Sequence, residues 1–76
     1  MTRERTQWSG TTRYQGGGVI RAGVVRNKRR GNPDDVIRIQ IKGETVNIDV
    51  CVRTDEALAI AAACNAALLE HERAGQ

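Results

Sequence analysis

A chain of 76 residues that is 39% apolar, with one tryptophan, one tyrosine and no phenylalanine, can bury only a thin aliphatic core, which argues against a large catalytic cleft. Its net charge of +3 comes from twelve cations and nine anions. Ten of the cations are arginine, whose fork suits phosphate or carboxylate, so an anionic partner is expected. The longest apolar stretch, Ala57 to Leu69 with Asn65 inside it, is shorter than the ~20 residues of a membrane span, and no hydrophobic segment follows the charged N-terminus. A cytoplasmic protein that does not enter membranes is expected.

Residues 1 to 18 are polar and end in Gly16, Gly17 and Gly18. With almost nothing to bury, they read as a mobile basic arm preceding a single domain over residues 19–76. If the arm extends, Trp8, Gly10, Thr12 and Tyr14 share one face by simple alternation and supply an extra strand. The three glycines precede a strand, whereas phosphate loops follow a strand and open a helix, so they read as a hinge or turn.

From Val19 to Asn27, Ile20, Ala22 and Val24 alternate with Arg21, Gly23 and Val25. From Asp35 to Lys42, Ile37, Ile39 and Ile41 oppose Arg38, Gln40 and Lys42; from Thr45 to Arg53, Val46, Ile48, Val50 and Val52 oppose Asn47, Asp49, Cys51 and Arg53. A period of two is that of a strand with one buried face. A hairpin over the loop Lys28 to Pro33 pairs Val24 with Ile37, Ala22 with Ile39 and Ile20 with Ile41. A two-residue type II′ turn at Gly43 and Glu44 would pair Ile41 with Val46, Ile39 with Ile48 and Ile37 with Val50. The opposite face then sets Arg38 across from Asp49 and Gln40 across from Asn47.

Thr54 is a suitable N-cap, Asp55 and Glu56 place negative charge in the first turn, and seven alanines lie between Ala57 and Leu69, so a helix is expected from about Asp55 to Glu72. Its apolar face gathers Ala57, Leu58, Ile60, Ala61, Cys64, Leu68 and Leu69 and should cover the sheet. The expected fold is α+β, a three-stranded antiparallel meander, four-stranded if the arm joins, packed against one C-terminal helix.

Chemistry-bearing motifs are absent from this pattern. Cys51 points away from the helix and Cys64 into the core, so a sheet separates them and both thiols should be free. His71 is the only histidine, and neither cysteine has a second one at short spacing, so no metal and no cofactor are expected. Asp34 and Asp35 border a loop while Asp55 and Glu56 serve the helix start, which leaves no carboxylate pair for catalysis. A non-enzymatic binding protein is the expectation.

The cations are unevenly distributed. Residues 1–38 hold nine cations and three anions, a charge of +6, and residues 39–76 hold three cations and six anions, a charge of −3. Three surfaces collect them: the hairpin tip Lys28, Arg29 and Arg30; the sheet face with Arg21 and Arg38; and the arm, where Arg3, Arg5 and Arg13 bracket Trp8 and Tyr14. Cations interleaved with aromatics can hold phosphates and stack on bases, whereas charges on a turn or sheet face are also ordinary solvated groups. Open edges on the first and third strands and an alanine-rich outer helix face favour self-association, so a homodimer is also expected.

A strand ribbon followed by a helix loosely resembles the transcription-coactivator type of single-strand binder, in element order only, which implies a small DNA- or RNA-binding module. The size of the chain, its meander, one alanine-rich helix and a charged surface without an active site also resemble the small phage-encoded inhibitors of host defence, the anti-CRISPR proteins among them. That second resemblance implies occlusion of a protein or nucleoprotein complex, such as a CRISPR effector, in the host cytoplasm, and it is the leading expectation; a DNA- or RNA-binding module using the basic hairpin loop and arm is the alternative.

Overall fold

The computed structural model describes residues 3–14 and 17–75. The chain is α+β: strands β1 (Arg5–Tyr14), β2 (Gly18–Arg26), β3 (Ile37–Lys42) and β4 (Asn47–Val52) precede one helix, α1 (Thr54–Ala74). The strands form a single antiparallel sheet in the order β1-β2-β3-β4. Residues 5–14 of the arm therefore take up the extra-strand alternative, while Gly16 lies outside the described residues.

The β2–β3 register is the expected one, with Val24 opposite Ile37, Ala22 opposite Ile39 and Ile20 opposite Ile41. The β3–β4 register differs by two residues. Ile41 pairs with Ile48 rather than Val46, Ile39 with Val50 and Ile37 with Val52. The Gly43 N–H donates to the Val46 carbonyl at 2.8 Å, so Glu44 and Thr45 are the central turn residues. Gly43 is not among the positive-φ glycines, so the type II′ turn is not formed. A shift of two leaves every side chain on its expected face, and alternation alone cannot distinguish the two registers.

β1 contains a register shift between Trp8 and Gly10: Trp8 lies opposite Gly23 but Gly10 opposite Ala22, leaving Ser9 as the extra residue of a bulge. This overturns the expected alternation. Trp8 lies on the face of Arg21, Gly23 and Val25, whereas Gly10 and Thr12 lie on the face of Ile20 and Ala22. Gly23 is required at this crossing, since a Cβ there would stand 2.5 Å from the Gln7 carbonyl oxygen and 2.9 Å from the Trp8 Cα.

α1 starts one residue earlier than expected. Arg53 is the N-cap, Thr54 is the first helical residue, and the Glu56 carboxylate accepts the Arg53 N–H at 3.1 Å. At the other end Gly75 has φ −80°, so the helix closes without a left-handed residue. The helix meets the apolar sheet face only through its first turns, where Ala57, Ile60 and Ala61 border an open cavity of about 390 Å³ above Ile20, Ala22, Ile37 and Ile39. No helical residue is buried, and Cys64, expected in the core, is exposed. The expected cover of the sheet is thus confined to the N-terminal end of the helix, and the molecule measures 55 × 28 × 19 Å. Among the described residues the most enclosed side chains, Val25 and Gln40, lie on the opposite, polar face.

Candidate functional site

Strand pairing lays the polar sheet face out in rows. Arg13, Val19, Lys42 and Asn47 form one; Thr11, Arg21, Gln40 and Asp49 the next; Trp8, Gly23, Arg38 and Cys51 a third. Across these three rows four cations are set against one carboxylate, Asp49. The absence of a side chain at Gly23 lets the β1 backbone at Gln7 and Trp8 approach closely, and the Trp8 ring lies beside both arginines.

A connected network joins these residues. The Arg21 Nε donates to Gln40 Oε1 at 2.7 Å, and Gln40 Nε2 donates to Asp49 Oδ2 at 2.8 Å. Arg38 grips Asp49 with two prongs, Nε to Oδ1 at 2.9 Å and Nη2 to Oδ2 at 2.7 Å, and its Nη1 donates to Thr6 Oγ1 at 3.1 Å. The Arg21 guanidinium lies 3.9 Å from the Trp8 ring centroid and that of Arg38 5.5 Å away, both within cation–π range. Gln40 is 7% exposed and both ends of its amide are satisfied. Such a network favours one geometry for its members, above all around the enclosed Gln40, whose amide would be costly to leave unpaired.

The bidentate contact from Arg38, with the Gln40 amide added, holds the Asp49 carboxyl well below the usual carboxylate range; the same pair raises the Arg38 pKa. Asp49 thus stays ionised and offsets part of the positive charge of the face. Arg13 lies at the free edge of the sheet and is exposed. Tyr14 closes β1 opposite Gly18, and its side chain lies outside the described residues.

The hairpin tip forms a separate basic cluster. Asn27 adopts φ +57° and Gly31 φ +74°, and Asn32 Oδ1 accepts the Asp34 N–H at 2.9 Å. Arg29 and Arg30 are exposed and Lys28 half-buried. Glu4, from the chain leading into β1, reaches this tip: its carboxylate accepts the Arg29 N–H at 2.8 Å, which together with the charge of Lys28 lowers its pKa. Asn27 Nδ2 also donates to the Arg3 carbonyl at 3.1 Å. The tip is therefore tied to the start of β1 and carries an acid of its own.

Of the expected site residues, the fold brings Trp8, Arg21 and Arg38 together, with Arg13 on the same face, and keeps Lys28, Arg29 and Arg30 apart at the loop. Thr6, Gln40 and Asp49 complete the network and were not among the expected site residues. One signal for the bulge was present: a lone glycine inside a strand, Gly23, marks a bulge or close backbone approach.

Cys51 and Cys64 are free thiols, and among the described residues no group of three or more His, Cys, Asp or Glu side chains is placed to hold a metal ion. Among the described residues no helix is long and apolar enough to cross a membrane. Comparison of the chain with protein-family models, curated proteins and solved structures finds no match to any of them.

Proposed function

We propose that this chain is a non-enzymatic, cytoplasmic binding protein that takes a single strand of nucleic acid on the polar face of its sheet. The observation that carries this reading is the bulge at Ser9, which places the one tryptophan of the chain among Arg21 and Arg38, in line with Arg13 and Lys42. Arginines that hold phosphates beside an aromatic ring that stacks on a base are the two elements of strand binding without sequence preference. Preorganisation by Asp49 and Gln40 limits the entropy lost on binding.

The test uses Trp8 as its own reporter. A short single-stranded oligonucleotide should quench its fluorescence at about 100 mM salt and bind more weakly as salt rises, and Arg13→Ala should lower the magnitude of the salt slope by about 0.7. Absence of quenching and of binding would remove this reading.

A second reading, an inhibitor that occludes a nucleic-acid-handling host complex in the anti-CRISPR manner, is favoured by a different observation. Arg38 already spends its fork on Asp49 and Thr6, and Arg21 is engaged by Gln40 and Trp8, so the face presents a stiff surface of mixed charge suited to a protein partner. On that reading the chain ignores free oligonucleotides and is retained by one protein complex in nuclease-treated lysate.

A further inference from the structure

We infer that the apolar side of this molecule is an interface with a second copy of the same chain, the helix of each copy lying on the open sheet face of the other. This inference is independent of what the polar face binds.

The helical stripe that touches the sheet at Ala57, Ile60 and Ala61 continues at spacings of three and four through Cys64 and Leu68. Twenty-one residues of helix span ~31 Å, so the distal half of this stripe reaches past the part of the sheet it starts from. Leu68 and Leu69 on that distal half are 57% and 60% exposed as a result, and Leu58, in the first turns but on the flank of the sheet-facing stripe, is 73% exposed. On the sheet, Ile20, Ile48 and Val50 remain 41–43% exposed on the face that the helix leaves open.

Each copy therefore carries both halves of an α/β layer packing, an uncovered ridge and an uncovered flat face, and neither is complete within the chain. Two copies related by a two-fold axis satisfy both at once, because the contact of ridge with face occurs twice. Together with Ile60, these exposed residues present roughly 700 Å² per copy, inside the ~600–1,000 Å² that each partner gives to a standard interface. The open cavity between Gly10, Ile20, Ala22, Ile39 and the helix start lies on this side and gives the incoming leucines a place to insert.

Sedimentation equilibrium of the full chain tests this. The wild type should have twice the single-chain mass of 8.3 kDa at micromolar concentration, and its Tm should rise with protein concentration. Leu68→Glu should return the mass to 8.3 kDa, whereas Ala63→Glu, on the polar side of the same helix, should not. Leu68→Ala, which retains helix propensity and adds no charge, should weaken the dimer at least tenfold and covers the case in which the glutamate variant unfolds. A single-chain mass for the wild type at about 100 µM with a Tm independent of concentration would overturn the inference. So would a Leu68→Ala dimer as tight as the wild type, or equal dissociation by Ala63→Glu.

Discussion

Asp49 shows how one side chain sets the character of a surface. It receives two hydrogen bonds from Arg38 and one from Gln40, and its own side chain remains 33% exposed. Charge-assisted bonds in this partly screened setting are worth about 1–2 kcal/mol in total. Asp49→Asn should lower stability by about that amount at pH 7, as measured by urea denaturation. The sign of the pH dependence follows from the depressed pKa in the folded state. The stabilisation is fully present above the unfolded value of about 3.9 and is lost as pH falls through the lower folded value, so the gap between wild type and Asp49→Asn should narrow under acid conditions. A gap that stayed constant from neutral pH to about pH 2 would show that the carboxylate charge is not what stabilises the fold. The Arg38–Asp49 partnership was legible from alternation, which places both residues on one face. Its geometry was not, because the two residues are diagonal neighbours rather than directly opposed, and Gln40 takes the position across from Asp49.

Among the elements, β1 departs furthest from simple patterning. It is polar on both sides, so no greasy face holds its register and a one-residue slip costs little burial. The slip at Ser9 is fixed instead from outside the strand, by the close backbone approach that Gly23 permits and by the Arg21 guanidinium against the indole. Deleting Ser9 should restore a regular ladder with Trp8 still opposite Gly23, so the emission maximum of Trp8 should not move. Under uninterrupted pairing the intact chain would instead hold Trp8 opposite Val24 on the apolar face, and the deletion would transfer it across the sheet with a visible shift in emission. The β3–β4 turn is a milder case. Glycine at position 43 suggested one tight turn, but a register two residues away keeps the same faces and sets Gln40 beside Asp49, which the polar network rewards. The helix was plain in the sequence because alanine propensity, the first-turn acids and the apolar spacing all agree.

At the scale of the whole molecule, the Cα radius of gyration is 14.8 Å, whereas a compact chain of this length would have roughly 11 Å. The excess comes from a helix directed past its own sheet, and pairing of two copies through their apolar sides would bury what it leaves open. That pairing turns the two polar faces outward on opposite sides of the dimer. Titration with an oligonucleotide short enough to occupy one face should therefore end at one strand per chain, two per dimer, without cooperativity between distant sites. Saturation at one strand per dimer would place the two Trp8 faces in a single groove instead. The expected cover of the sheet by its own helix followed from an amphipathic pattern that names an apolar face without saying which molecule supplies the surface opposite.

Local order along the chain was written in the residues: strands where apolar side chains recur at every second position, a helix where alanine, acid and leucine are spaced by threes and fours, and a basic first half. Each of these depends on neighbours only a few positions away. Contacts between distant segments decided the bulge that moves Trp8 across the sheet, the register that seats Gln40 against Asp49, the reach of Glu4 into the hairpin tip and the direction in which the helix leaves the sheet. Those choices rest on steric fit and charge pairing between groups that chain periodicity does not relate, and so they arise only when the strands are laid side by side.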